Sequence, residues 1–460
     1  MDAELAKMSA AELVRLLTDA RRRTLELVAD LNDEQMIGPR LAIVNPPLWE
    51  IGHVAWTQEF WTLRRRGGGK PLVEGADVLY NSTDVAHDTR WELLLPSREQ
   101  TLSYMETILN RVADALGARE LSPEEIYFHL LVLFHEDMHG EALAYTRQTL
   151  GYPPPKLSST EVENKVSSSG ELNGDAEIPG GTFMLGATPG VFFVFDNEKW
   201  AHAVDIEPFR IARAPVTNGE FAAFVDDGGY RRREFWSDEG WRWQQSGGAP
   251  ALDRSFSKFF HREQKYGTDS SSERAEHPVY WKKESNDRWM QRIFDRYAAL
   301  EQDLPVIHVN WYEADAYCKW AGRRLPSEAE WEMAAAGEPH PSRRKRKFSW
   351  GDETPTPERA NLDGRALGLF EVGALPEGDS AFGCRQMIGN VWEWTASDFQ
   401  PYPGFVVDPY KEYSEPCFGM HKVLRGGCWA TRARLIRNTW RNFYTPDRRD
   451  VWAGFRTCAL

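Results

Sequence analysis

A polar, serine-rich stretch, KLSSTEVENKVSSSGELNGD from Lys156 to Asp175, divides the chain into two parts whose patterning is incompatible with one architecture. It contains no aromatic residue and is too irregular to bury a face, so it reads as a linker. Before it, long segments carry apolar residues at helical spacing. After it, short strand-like runs alternate with Gly, Pro and Asn turns. The expected class is therefore α+β and multidomain, with a helical bundle over 1–155, a linker over 156–175 and a turn-rich α+β domain over 176–460. Fifteen of the nineteen tryptophans follow residue 175, which predicts a second core built on aromatic packing.

Local signals place four helices in the first part. Ser9 precedes a helix that carries Leu13, Leu16, Leu17, Ala20, Leu25 and Val28 and fades near Asn32. The second is expected to take Asn45 as N-cap and Pro46 as its first residue, and to run to Gly67. Ser97 with Gln100, and Ser122 with Glu125, have capping-box spacing for the third and fourth, which end at Gly117 and Gly151. Four such helices predict a bundle. In the second part, helices are expected at Trp311–Ala321 and around Ser327–Ala336.

Composition removes several function classes. With 55 basic against 69 acidic side chains the net charge is −14, the wrong overall sign for a general nucleic-acid binder. No apolar run reaches the ~18 residues of a membrane span. The opening MDAELAKMSAAEL lacks the basic-then-apolar pattern of a secretion signal, so a cytoplasmic location is expected. The five cysteines, Cys318, Cys384, Cys417, Cys428 and Cys458, are scattered without a CxxC pair and are expected to be buried free thiols.

The strongest chemical signal is FHEDMHGEA, in which His135 and His139 stand four residues apart on the fourth helix. Both imidazoles then project from one face, on a stripe with Phe128, Leu131, Val132, Ala142 and Tyr145. His53, among Trp49, Trp56 and Phe60, occupies a similar stripe on the second helix. A metal would satisfy three buried imidazoles together, whereas hydrogen bonds to backbone or carboxylates would satisfy each separately. Imidazoles suit iron, zinc, copper or nickel alike, so spacing does not choose the metal. Glu136 and Glu141 are expected on a solvated face.

HVAW and HEDMH in the bundle are followed by IPGGTFMLG, APVTNGEF, LPVIHVNWYEADAYCKWAGRRLPSEAEWEMAA, IGNVWEWTAS, RGGCWAT and AGFR. In this order the motifs resemble the ergothioneine-type sulfoxide synthases over nearly the whole chain. The resemblance implies a DinB-like four-helix bundle followed by a formylglycine-generating-enzyme, C-type-lectin-like domain. It further implies a mononuclear non-heme iron(II) centre with His53, His135 and His139 as ligands, and O2 as co-substrate. The reaction it implies joins a chalcogen to imidazole C2 of hercynine, the trimethylated betaine of histidine, at a site expected between bundle and C-terminal domain. The copper chemistry of formylglycine-generating enzymes is not implied. Those enzymes place two cysteines after a GGS motif, and GGCWATRARLIRN has Thr431 and Ile436 near those places.

Departures from the sulfur-using pattern point to a branch of that family. HEDMH replaces the usual HEQQH, so Asp137 and Met138 stand for two amides as candidate substrate contacts. In YNSTDVAHDTRW, Arg90 matches an arginine that meets a γ-glutamylcysteine carboxylate, and RNFYTP replaces an RNWDYP-like string. HEDMH and AHDTRW resemble the selenoneine synthase branch, which implies a selenosugar, 1-seleno-glucose, as donor and a selenoxide as product. By the same resemblance Tyr402 supplies a proton or electron, and Asn442, Phe443 and Tyr444 contact hercynine, the aromatics by cation–π attraction. The basic residues after Met420, among them Arg425, Arg437, Arg441 and Arg456, are expected in internal salt bridges. The alternative within the family is an ergothioneine-type hercynine sulfoxide synthase using γ-glutamylcysteine or cysteine. Two other classes stay open: a DinB-like zinc or nickel thiol transferase or hydrolase, and a non-catalytic lectin-like binding module with a structural metal.

Overall fold

In the computed structural model residues 8–65, 68–117, 119–160, 172–190, 193–247, 274–339 and 344–460 are described. They fall into two compact units. The first runs to Ser158 and takes in Pro189, Gly190 and Phe193, and the second comprises the remainder from Ser159. Most of the expected linker, residues 161–171, lies outside the described residues. Its first residues are not loose, because the Ser158 hydroxyl accepts from Arg22 at 2.7 Å and Leu157 is buried.

The first unit contains α1 (Ala10–Val28), α2 (Asp33–Ile37), α3 (Pro47–Glu59), α4 (Ala76–Tyr80), α5 (Arg98–Leu116) and α6 (Pro123–Leu150). Helix α1 packs on α5 and α6, and α3 packs on the same two, which makes the bundle. The expected capping boxes form at Ser97/Gln100 and Ser122/Glu125, and each satisfies amide donors that a helix start leaves unpaired. Helix α3 departs from expectation at both ends. It begins at Pro47 with Pro46 as an N-cap that offers no side-chain bond, and it passes at Phe60 into a π-helical turn to Arg64. Asn45 is not the cap because its amide is engaged elsewhere, as described below. All thirteen residues of α3 are buried, so this helix is enclosed on every side and not on one stripe.

A buried polar cluster ties the four long helices together. Arg21 on α1 donates to Glu136 on α6 at 2.8 Å, to Gln58 on α3 at 2.7 Å and to the Met105 carbonyl on α5 at 2.5 Å. Thr24 adds a bond to Glu136 at 3.0 Å. The expectation of a solvated face for Glu136 and Glu141 is therefore corrected: both are buried, and Glu136 is stable there because a guanidinium neutralises it.

The second unit is built on two four-stranded sheets. One orders Asp175–Ile178, Phe209–Ala212, Cys458–Ala459 and Arg323–Arg324, all antiparallel. The other orders Asn442–Tyr444, Lys422–Arg425, Trp392–Asp398 and Ala453–Gly454, the last pair parallel. The expected helices appear as α9 (Trp311–Trp320) and α10 (Glu328–Ala336). Two more, α7 (Asn218–Asp226) and α8 (Asp238–Gln245), were not expected, although Thr217 and Glu220 form a capping box whose spacing is visible in APVTNGEF. Trp331, Trp392, Trp394, Trp429 and Trp452 are fully buried.

Buried ion pairs thread this core. Arg456 meets Glu393 through two bonds of 2.6 and 2.7 Å, Arg441 meets Glu328 at 2.9 and 3.0 Å, and Arg425 pairs with Glu332 and Arg437 with Glu198. These four late arginines are thus internal, each paired with a glutamate far away in sequence, whereas Arg448 pairs locally with Asp450. All five cysteines are buried free thiols. Among the described residues no helix is long and apolar enough to cross a membrane.

Candidate metal centre

Helices α3 and α6 bring His53, His135 and His139 together inside the bundle. Nε2 of His135 lies 3.3 Å from Nε2 of His53 and 3.2 Å from Nε2 of His139, and one ring nitrogen from each histidine falls within 4.8 Å of the others. His53 and His135 are buried and His139 is partly so. The orientation of two rings is set from behind. His53 donates from Nδ1 to the Tyr80 carbonyl at 2.7 Å, and His139 donates from Nδ1 to the Glu50 carboxylate at 2.5 Å. With Nδ1 carrying the proton, each Nε2 directs a lone pair at the common point.

That convergence is a test of whether a metal fits. Lone pairs facing one another repel, and a cation between them removes the repulsion. Bonds of about 2.0–2.1 Å at angles between octahedral and tetrahedral put neighbouring nitrogens about 2.8–3.4 Å apart, a range that includes the observed 3.2 and 3.3 Å. Burial, reinforced by His139, holds the His53 ring at a pKa of about 3. Burial and then the other two histidines hold His135 well below its ordinary value. Both rings are therefore neutral at pH 7, the form that ligates. Burial pushes the Glu50 carboxyl up, but His139, Asn45 and His53 outweigh it and keep the group below its ordinary value. The donor set fits a divalent transition metal with coordination positions left over.

Around the histidines, Trp49 stacks on His53 with centroids 4.9 Å apart and planes 9° from parallel. Arg90 is buried, lies 3.8 Å over the Trp49 ring, and donates to the Asn45 amide oxygen at 2.6 Å and to the Val85 carbonyl at 3.3 Å. Asn45 in turn donates to Glu50 at 2.6 Å. The arginine expected to meet a substrate carboxylate is thus part of the wall behind two histidines. Asp137 is buried and Met138 partly exposed. Two residues on from His135, Asp137 is turned about 200° round the helix from it, whereas Met138 sits next to the histidine face.

The remaining expected site residues belong to the second unit. Tyr402 is 5% exposed, with its hydroxyl 3.4 Å from Glu328 and the Arg441 guanidinium 4.1 Å over its ring. It packs in the apolar core with Phe183, Ile211 and Trp331. Asn442, Phe443 and Tyr444 form an edge strand. Asn442 accepts from the Phe443 amide at 2.9 Å, Phe443 stacks on Phe399 at 4.1 Å, and Arg448 lies 5.0 Å over Tyr444. Glu50, Asn45 and Tyr80 are site-shaping residues that the sequence reasoning missed. The available signal was Glu50 itself, an acid inside the otherwise apolar run LWEIGHVAW, three residues before His53.

A buried three-histidine cluster able to hold a metal, in a helical bundle on a chain that continues into an irregular α+β unit, defines a two-part protein with a candidate metal site. Comparison with known proteins agrees with both parts. Residues 16–143 match the DinB superfamily, and residues 161–459 match the sulfatase-modifying factor enzyme 1-like domain. The hercynine oxygenase of Mycolicibacterium thermoresistibile is 37% identical over 457 residues, covering 97% of this chain and 94% of that one. The hercynine oxygenase of Mycobacterium tuberculosis is 36% identical over 452 residues, with 97% and 98% covered. A formylglycine-generating enzyme of Streptomyces coelicolor is 32% identical over 302 residues, 62% of this chain and 88% of that one. The chain belongs to the hercynine oxygenase family, a class of oxidoreductase, and shares with formylglycine-generating enzymes its sulfatase-modifying-factor-like domain.

Proposed function

We propose that this protein is an iron(II)- and O2-dependent hercynine oxygenase that joins the selenium of a 1-seleno-sugar to imidazole C2 of hercynine and releases a selenoxide. The observation that carries this reading is the meeting of His53, His135 and His139 through Nε2 in a chain alignable end to end with hercynine oxygenases. The selenium donor rests on HEDMH and AHDTRW.

The reaction closes without an external reductant. Hercynine C2–H and a selenol R–SeH give up two hydrogens and gain a C–Se bond and one oxygen on selenium, and the second oxygen of O2 leaves as water. Two electrons come from forming the C–Se bond and two from oxidising selenium, the four that O2 accepts. Iron(II), when bound, supplies the spin-allowed route to O2 and the electron transfer. The chain supplies placement. Tyr80 and Glu50 keep the lone pairs of His53 and His139 aimed inward, and the enclosing walls of α3 and α6 exclude bulk water, which strengthens every charge interaction inside.

The test is oxygen uptake with product mass after anaerobic iron(II) loading, with hercynine plus either selenoglucose or γ-glutamylcysteine. One O2 consumed per selenium-linked hercynine adduct, with the selenosugar only, is the expected result. Turnover with γ-glutamylcysteine alone assigns the ergothioneine-type reaction instead. Anaerobic turnover of a thiol with zinc or nickel, or ligand binding without oxygen uptake, overturns the oxygenase reading.

A further inference from the structure

We propose that Glu50 is a positioning residue for His139, and that Arg90 acts on the same centre through Asn45 and not only on a substrate. The proposal rests on the reading of His53, His135 and His139 as a metal centre.

Glu50 lies in the first turn of α3 and is 3% exposed. Its two oxygens have separate duties: Oε1 accepts from His139 Nδ1 at 2.5 Å and Oε2 accepts from Asn45 Nδ2 at 2.6 Å. The Asn45 carbonyl oxygen then accepts from Arg90 Nη1 at 2.6 Å, so the amide cannot flip without losing both bonds. The path from Arg90 reaches both outer histidines, because its guanidinium also covers Trp49, which stacks on His53. The two histidines are held differently. His53 donates to a neutral carbonyl, whereas His139 donates to a carboxylate. A carboxylate behind an imidazole fixes the tautomer and raises the electron density at Nε2, so His139 is the stronger donor of the two and the place where the centre receives its negative charge. Arg90 and Asn45 hold that carboxylate in one rotamer; a buried carboxylate free to turn would lose the alignment with the ring.

The experiment uses the full-length protein, metal-free and without substrate, titrated anaerobically with Co(II) as the probe and read by its visible d–d absorption. Glu50→Gln is expected to weaken Co(II) affinity 10- to 100-fold and to shift the absorption bands, since a neutral amide can accept from Nδ1 or donate to it. Arg90→Gln is expected to weaken affinity by about 3- to 10-fold with no substrate present, which a residue that only meets substrate would not do. Far-UV circular dichroism and the metal-free melting temperature establish that each variant is folded, and Asn45→Ser provides the same readout should Glu50→Gln not fold. Wild-type affinity and spectrum in Glu50→Gln, or in Arg90→Gln, overturn the corresponding positioning role while the metal centre stands. Absence of Co(II) binding by the wild type, or unchanged binding by His135→Ala, overturns the metal-centre reading and this proposal with it.

Discussion

Arg21 and Glu136 form an ion pair sealed inside the bundle, with Nε 2.8 Å from Oε1 and both side chains almost without solvent contact. Glu136 directly follows the candidate ligand His135, so the pair fixes the stretch of α6 from which the imidazole projects.

Breaking that pair from one side leaves a buried charge uncompensated. Arg21→Met is expected to cost about 3–5 kcal/mol, whereas the double variant Arg21→Met/Glu136→Met recovers most of the loss, because two apolar side chains replace two charges. Urea unfolding followed by circular dichroism measures both. A single variant as stable as the double one would remove the pair from the account of bundle stability.

Gly52 precedes His53 on α3, and a Cβ there would stand 2.3 Å from Cε1 of Tyr80. The fully buried Tyr80 ring cannot retreat freely. Gly52→Ala is expected to destabilise by about 1–3 kcal/mol through overpacking, net of the ~1 kcal/mol that alanine gains in a helix. Because the Tyr80 carbonyl is the partner of His53 Nδ1, metal affinity should fall as well. Thermal melts and Co(II) titration of the variant check the two effects separately.

Burial holds His308 at a pKa of about 3, packed between Tyr280 and Trp452. Its folded value lies below the ordinary 6.5 of the unfolded chain, so below pH 6.5 the unfolded state binds the extra proton. The stability that neutral His308 contributes is therefore full above pH 6.5 and lost as the pH falls toward 3, at up to about 1.4 kcal/mol per pH unit. His308→Gln should show a dependence of unfolding free energy on pH that is shallower by up to one proton between pH 6 and 4. An unchanged slope would mean that the ring is protonated in the folded protein.

Tyr402 is the residue expected from resemblance to donate a proton. Its phenol is pushed above its ordinary pKa by burial, with Glu328 opposing its ionisation, and such a group releases a proton less readily. Tyr402→Phe is expected to stay within about 1 kcal/mol of wild type, since the 3.4 Å contact with Glu328 is long for a hydrogen bond, and to keep turnover within about tenfold. A loss of 100-fold or more in kcat with folding intact would return the phenol to the reaction.

Much of this protein was legible before its structure. The start of α1 could be read from Ser9 and the apolar spacing after it, and those of α5 and α6 because a capping residue and its partner stand three positions apart. The same local geometry made Thr217 and Glu220 a missed sign of α7. His135 and His139 could be paired because a helix puts residues four apart on one face, and the aromatic count foretold the core of the second unit. The role of Asn45 was not legible. Its sequence context is that of an N-cap, yet its amide bridges Glu50 and Arg90, which lies 45 residues further on.

Local periodicity and capping thus determined the four long helices of the first unit and which three histidines are candidates for a metal, but not the short helices α2 and α4, nor α7 and α8. The tertiary structure alone decided that Glu136 is buried, that Arg90 stands behind the histidines and that Glu50 holds His139. The physical reason is that each depends on a partner distant in sequence, 115 residues from Arg21 to Glu136 and 89 from Glu50 to His139. A buried charge is tolerable only where folding brings its counterpart within hydrogen-bond reach.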